Sequence, residues 1–437
     1  MFATPIHFCV VFELDSPCNY THAGATTIFS NMKNSSEFVN KTMVKRVIQF
    51  MRDAWLMLGI SLLLCVVLEV VCWLTLLIVD RNAPPDPRNP DVRAKAEAYR
   101  NVSWGDDYFM EFNESFDARW EPYEYWRRKV YNGKFITIDT NGLRVTPNSG
   151  HGTERAARIF MFGGSTMWGT GARNSFTIPA LLATELISRG MRVDVVNFGE
   201  SGLVTTQEVI ILLRQLQKGD VPDLVVYYDG INDTYSAYQQ GVAGLPQNES
   251  NRVLEFNLTK RMPDLRRMAV KDAFDQLAIV RLTKRILSIE RTESKPEYNA
   301  RVAEEAVNVY LKNMELVQAL ARSYGFKCYF FWQPTLFGKS KRSDYEKAEY
   351  ESQQHLEKFF YETYRVLREK TTPTRGDKTF QNLSDIFLHE DEPVYIDWMH
   401  LSEKGNAIIA HEMAENIFHL FPSYLSRSFN EARRTVH

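Results

Sequence analysis

The segment FGGSTMWGTG places Ser165 in a glycine-flanked turn, after an apolar run and just before a helical pattern. A serine hydroxyl is a poor nucleophile at neutral pH unless a base takes its proton, and that base must be held in the right tautomer by an acceptor. Near the C-terminus, YIDWMHLSEKGN carries Asp397 three residues before His400, so all three residue types of such a relay are present. Acyl transfer also needs preorganised donors for the developing oxyanion. Two further turns supply candidates beside the N–H of Ser165: Gly202 in NFGESG, through its backbone N–H, and Asn232 in YYDGIND, through its side-chain amide. Taken singly, each is an ordinary turn; their joint order is what points to acyl chemistry.

The elements that must position these groups can be read from the same stretch. ARIFMF (157–162), VDVVNF (193–198), DLVVYY (223–228) and FKCYFFW (326–332) are short apolar runs typical of buried strands. Helical patterns lie between and after them at 176–189, 204–217, 298–324, 344–369 and 402–420. Such alternation predicts an α/β domain with a mainly parallel sheet covered on both faces. Reactive groups then gather at the C-terminal ends of the strands, where the turns with Ser165, Gly202 and Asn232 fall.

These four segments resemble the four blocks of the SGNH (GDSL-type) hydrolase family. GGSTMWG is similar to the nucleophile block, NFGESG to the glycine block, GIND to the GxND block and DWMH to the DxxH block, in the family's order and over about 160–420. The resemblance implies a three-layer α/β/α, flavodoxin-like fold and a carboxylic ester hydrolase that needs no cofactor. Carried over by position, it implies Ser165 as nucleophile, Gly202 and Asn232 as oxyanion donors with Ser165, His400 as general base and acid, and Asp397 as its orienting partner. Gly164 stands where the nucleophile block often has Asp, a position without a chemical role of its own. The GGST form, together with the aromatic extension and apolar segment described below, resembles bacterial membrane-anchored members, which implies an O-acyl, chiefly acetyl, ester on an extracytoplasmic glycan. An O-acetyltransferase using the same residues and an inactive scaffold of an export complex are the alternatives.

Other constellations fail on their residues. A phosphate-binding GxxxxGK[ST] would need a lysine after Gly169, where Thr170 stands, and HEMAE at His411 has glutamate where a zincin needs histidine. No metal is expected. Cys328, mid-strand, reads as a buried apolar residue. Gln333 follows the fourth strand on the same rim as the catalytic turns; it reads either as part of a strand-ending turn or as a hydrogen-bonding partner for a polar substrate.

The 437 residues carry 52 basic and 54 acidic side chains, and this balance argues against a nucleic-acid partner. One stretch departs from the average. Ala54–Val79 is apolar except for Gly59, Ser61, Glu69 and Thr75, and at about 1.5 Å per residue it reaches roughly 39 Å, enough to cross a hydrocarbon core of about 30 Å. Lys41, Lys45, Arg46 and Arg52 precede it against Asp53, whereas Arg81, Arg88 and Arg93 follow it against Asp80, Asp86 and Asp91. That bias predicts a cytoplasmic N-terminus and an exported C-terminal part. LLIVDRNAPP offers no small-residue cleavage site, so a retained single-pass anchor is expected. Glu69 lies near mid-span, where a carboxyl group is costly; a single span gives it no partner within the chain, leaving a tolerated neutral acid or a contact with another membrane helix.

The expected organisation is therefore a largely disordered segment at 1–53, the anchor at 54–79, a Pro-rich spacer and aromatic-rich extension at 80–150, the hydrolase domain at 151–422 and a tail at 423–437. Met43 is an alternative start. An insert at 234–297 contains a stretch, 260–291, with nine basic residues against four acidic; it reads as a solvated helix face or as a lid toward anionic glycan or lipid headgroups.

Overall fold

The computed structural model of the chain describes residues 25–81, 91–147, 156–259, 262–286, 300–371 and 379–418. It divides into two compact units, one of residues 1–82 and 272–289 and the other of residues 83–271 and 290–437.

The first unit is dominated by helix α1, Ala25–Arg81, whose stretch Thr42–Ile78 is long and apolar enough to cross a membrane. Trp55, Leu62, Leu63 and Ile78 are exposed along it. Residues 25–53 belong to this helix, since extending a formed helix costs far less than nucleating one, and residues 1–24 of the segment expected to be disordered lie outside the described residues. One expectation is corrected here. Glu69 does have a partner: its carboxylate accepts the N–H groups of Ala278 and Ile279, which open the helix Ala278–Ile286. Those first-turn N–H groups have no intrahelical acceptor, and a carboxylate satisfies both them and the local dipole. Cys72 and Leu76 pack with Ala278 just beyond this cap.

The second unit begins with the extension: helix α2, Gly105–Glu114, then two antiparallel pairs, β1 (Ala118–Glu121) with β2 (Tyr125–Arg128) and β3 (Tyr131–Asn132) with β4 (Thr137–Ile138). The domain proper follows with β5 Ala157–Gly163, β6 Val193–Asn197, β7 Leu224–Asp229, β8 Lys327–Trp332 and β9 Phe380–Asn382. They form one wholly parallel sheet in the order β6-β5-β7-β8-β9. The first four match the apolar runs of the sequence. The short fifth strand gives no such signal, because its three residues are only half-buried at the sheet edge.

Between and after the strands come α3 Ser165–Trp168, α4 Ile178–Ser188, α5 Thr205–Gln217, α6 Ile231–Gln240, α7 Glu249–Thr259, α8 Met262–Asp275, α9 Ala278–Ile286, α10 Ala300–Tyr324, α11 Asp344–Ser352, α12 Gln354–Thr371 and α13 Glu403–Phe418. The expected helix at 344–369 is two helices. A Ser343–Glu346 capping box starts the first and Gln353 ends it. Helix α4 packs on α13, whereas α10 packs on α5, α6 and α12, which makes the three layers of the fold. The apolar centre lies along β5 and β7, where Phe160, Phe162, Val226 and Tyr227 are wholly buried. The strand order reverses between β5 and β7, and the crevice at such a switch point, at the carboxyl ends of the strands, is where a doubly wound sheet presents a site.

Candidate active site

Ser165 is the first residue of α3, directly after β5, so its N–H is one of the helix-start donors without an intrahelical acceptor. The turn brings it to His400: Ser165 Oγ lies 2.6 Å from His400 Nε2. On the far side of the ring, His400 Nδ1 lies 2.6 Å from Asp397 Oδ2. An ionised carboxylate only accepts, so Nδ1 carries the proton and Nε2 is free to take that of the serine. The other oxygen, Asp397 Oδ1, accepts the backbone N–H groups of Met399 and His400, at 2.9 and 2.7 Å. Burial alone would raise the Asp397 pKa. The charge and hydrogen bond of His400, with the nearby Arg93 guanidinium, outweigh it and hold the carboxyl well below its ordinary value.

The glycine and asparagine turns arrive from β6 and β7. Gly202 has φ of +75°, a conformation that favours glycine. Asn232 is buried and donates from Nδ2 to Leu203 O at 2.8 Å, which orients its amide. Gly164 explains why that amide can come so near the nucleophile turn: a Cβ there would stand 2.1 Å from Asn232 Nδ2. Ser165, His400 and Asp397 are thus joined in one relay, with Gly164 against Asn232.

Gln333 follows β8 with its side chain buried; it accepts from the N–H of Ile231 at 3.3 Å and donates to Thr166 Oγ1, so it links the starts of α3 and α6. Cys328 is buried as expected.

The sequence reading missed how far the extension supports this site. Trp168, at the end of α3, lies between two buried guanidinium groups, Arg128 at 3.8 Å and Arg144 at 4.3 Å from its ring centroid. Arg128 also binds Glu200 and Ser201 in the glycine turn, and Trp126 Nε1 donates to Ser201 O at 2.7 Å. Arg144 donates to Gly169 O and Ala172 O beyond α3. The turn carrying Asp397 and His400 is held from elsewhere. Lys339, fully buried, pairs with Glu346, whose Oε1 accepts the N–H groups of Val394 and Tyr395. Scattered arginines and lysines have no spacing that would reveal such roles.

A pocket of about 270 Å³ adjoins Gly202, lined by Phe116, Ala118, Trp126, Gln247 and Asn248 among others. A larger one, about 840 Å³, includes Arg119, Asp139, Arg158 and Asp220 and none of the relay residues. Among the described residues no group of three or more His, Cys, Asp or Glu could hold a metal ion.

The profile of the GDSL-like lipase/acylhydrolase family matches residues 159–413, more than half of the chain. The chain belongs to this family. It is accordingly a hydrolase of ester bonds, and the matched span begins in β5 and ends in α13, enclosing every residue of the relay. No curated protein matches the sequence closely enough to count as a relative. Similar solved structures include the acetyl xylan esterase AlAXEase, 15% identical over 59% of this chain and 97% of its own, with a TM-score of 0.33. The acetylxylan esterase Axe2 from Geobacillus stearothermophilus is 15% identical over 60% and 94%, with a TM-score of 0.31. A putative lipolytic protein of the G-D-S-L family from Desulfitobacterium hafniense DCB-2 is 11% identical over 60% and 99%, with a TM-score of 0.32.

Proposed function

We propose that this GDSL-family hydrolase is a membrane-anchored serine esterase that removes O-acyl groups, chiefly acetyl, from an extracytoplasmic glycan through an acyl-enzyme. The observation that carries the catalytic part is the unbroken relay of 2.6 Å from Ser165 Oγ to His400 Nε2 and 2.6 Å from His400 Nδ1 to Asp397 Oδ2. Ser165 Oγ attacks the acyl carbon while its proton passes to His400 Nε2. The carbonyl oxygen becomes the oxyanion, received by the N–H groups of Ser165 and Gly202 and the Asn232 amide. Collapse breaks the ester C–O bond, and the leaving alkoxide takes the proton from Nε2 as the free alcohol. Water then repeats the sequence on the acyl-enzyme and releases the acid. Transfer to a sugar hydroxyl would use the same steps with another acceptor, and product analysis with a glycan acceptor separates the two. The apolar stretch of α1 and the basic excess before it support an anchor with a cytoplasmic N-terminus and the hydrolase unit, 151–422, outside.

A fluorophosphonate probe tests the nucleophile: the full chain labels and Ser165→Ala does not. Equal labelling of the two would reject Ser165. Among p-nitrophenyl esters, acetate is expected to turn over faster than octanoate. A C-terminal alkaline phosphatase fusion is expected to be active, as an exported C-terminus requires.

A further inference from the structure

Arg93 lies in the short helical turn Val92–Lys95 of the extension, outside the span matched by the family. Its guanidinium is gripped by Asp91 in a fork, Nε to Oδ1 at 2.8 Å and Nη2 to Oδ2 at 2.5 Å. That grip leaves Nη1 directed at the relay: it stands 3.6 Å from Asp397 Oδ2, the same oxygen that meets His400 Nδ1. The rings of Phe109 and Phe112, with centroids 5.3 and 5.1 Å from the guanidinium carbon, pack against it.

We propose that Arg93 is a positioning residue of the catalytic relay, lent by the extension to hold Asp397 ionised and aimed at His400. The proposal rests on the esterase reading above. The charge balance explains the need. Asp397 faces His400 on its own turn, Asp91 and Arg93 from the extension, Tyr99 from the following turn, and Tyr345 and Glu349 from α11. Three of these groups, Asp91, Glu349 and Asp397 itself, are carboxyls. Arg93 pairs with two of them, Asp91 and Asp397, and a guanidinium held by a bidentate carboxylate keeps one orientation. Arg93 acts on the rate by fixing a carboxylate and not by touching substrate.

The test uses the full chain in detergent with p-nitrophenyl acetate and compares Arg93→Met, Arg93→Lys and the charge-neutral pair Asp91→Asn/Arg93→Met, which leaves no unpaired carboxylate at position 91. A loosened Asp397 is expected to lower kcat at least about 10-fold, with KM within about twofold. Removing a cation beside the imidazole also favours its protonation. The acidic limb of kcat/KM should therefore move to higher pH, by about half a unit or more, in Arg93→Met, move less in the charge-neutral pair, which also loses an anion, and stay in place in Arg93→Lys. A merely structural Arg93 would lower stability without moving that limb. The proposal is overturned if the limb stays in place in Arg93→Met, if the lysine variant moves as Arg93→Met does, or if the pair keeps the wild-type kcat. An inactive wild-type chain would instead strike the esterase reading itself.

Discussion

At the residue scale, the nucleophile turn shows how one missing atom sets a reactive geometry. Gly164 carries no side chain, and that is what lets the Asn232 amide lie against it, since a Cβ would stand 2.1 Å from Nδ2. Read as sequence, Gly164 is a departure from the family's usual aspartate with no chemical consequence. In the folded chain it is a close approach that any side chain would disturb. Gly164→Ala is therefore expected to push the Asn232 amide away from Ser165 and lower kcat by about 10- to 100-fold, in the range of losing an oxyanion donor. Steady-state turnover of an acetyl ester measures it, and an unchanged kcat would show that Asn232 is not needed there. Ser165, Gly202, Asn232, Asp397 and His400 could be named as candidates because acyl chemistry restricts residue type and order, and the structure joins three of them, Ser165, His400 and Asp397. Arg93 and Arg128 could not, because an arginine says nothing of which carboxylate it will meet until the chain folds.

At the element scale, strand β7 and helix α5 enclose a buried acid cluster just below the glycine and asparagine turns. Glu208 and Asp229 are buried, and burial, followed by the neighbouring carboxylates, raises both pKa values well above the ordinary carboxylate range. Asp233, which accepts from the N–H and hydroxyl of Thr205, is pushed up to about 6, again chiefly by burial. A proton shared between Glu208 and Asp229 is therefore the expected state, since it would join them by a hydrogen bond that two ionised carboxylates cannot make. For groups whose folded pKa is raised, the stabilisation is complete below the unfolded value near 4 and is lost as pH climbs through the folded value. Thermal stability of the full chain should then fall between about pH 5 and 8. Glu208→Gln, which keeps a hydrogen-bond donor at all pH values, should reduce that fall by about 2–4 °C. Melting curves at pH 5 and pH 8 decide it, and parallel slopes for the two proteins would reject the shared proton. None of this is visible in TTQEVIILLRQLQ, where Glu208 looks like a common first-turn acid.

At the scale of the whole molecule, the apolar helix α1 and helix α9 belong to one compact unit and the hydrolase sheet to the other. The Glu69 cap on α9 sits in the unit formed by residues 1–82 and 272–289. Losing such a cap costs about 1 kcal/mol, so Glu69→Leu should speed hydrogen exchange at the Ala278 and Ile279 amides about fivefold, with Glu69→Gln intermediate. Exchange measured on the full chain in lipid nanodiscs tests it, and unchanged protection would remove the cap. The nine basic residues of 260–291 gave no sign that part of the same stretch, Ala278–Ile286, meets the apolar helix, because charge counts report solvation and not partners. What the sequence by itself determined was the fold class and the four central strands, with the five block residues as candidates: buried parallel strands must be continuously apolar, and acyl transfer tolerates few residue types at strand ends. What only the tertiary structure decided was the partner of Glu69, the bracing role of Gln333, the arginine clamp on Trp168 and the reach of Arg93 toward Asp397. Each is a contact between distant segments, fixed by packing and charge pairing that no local pattern records.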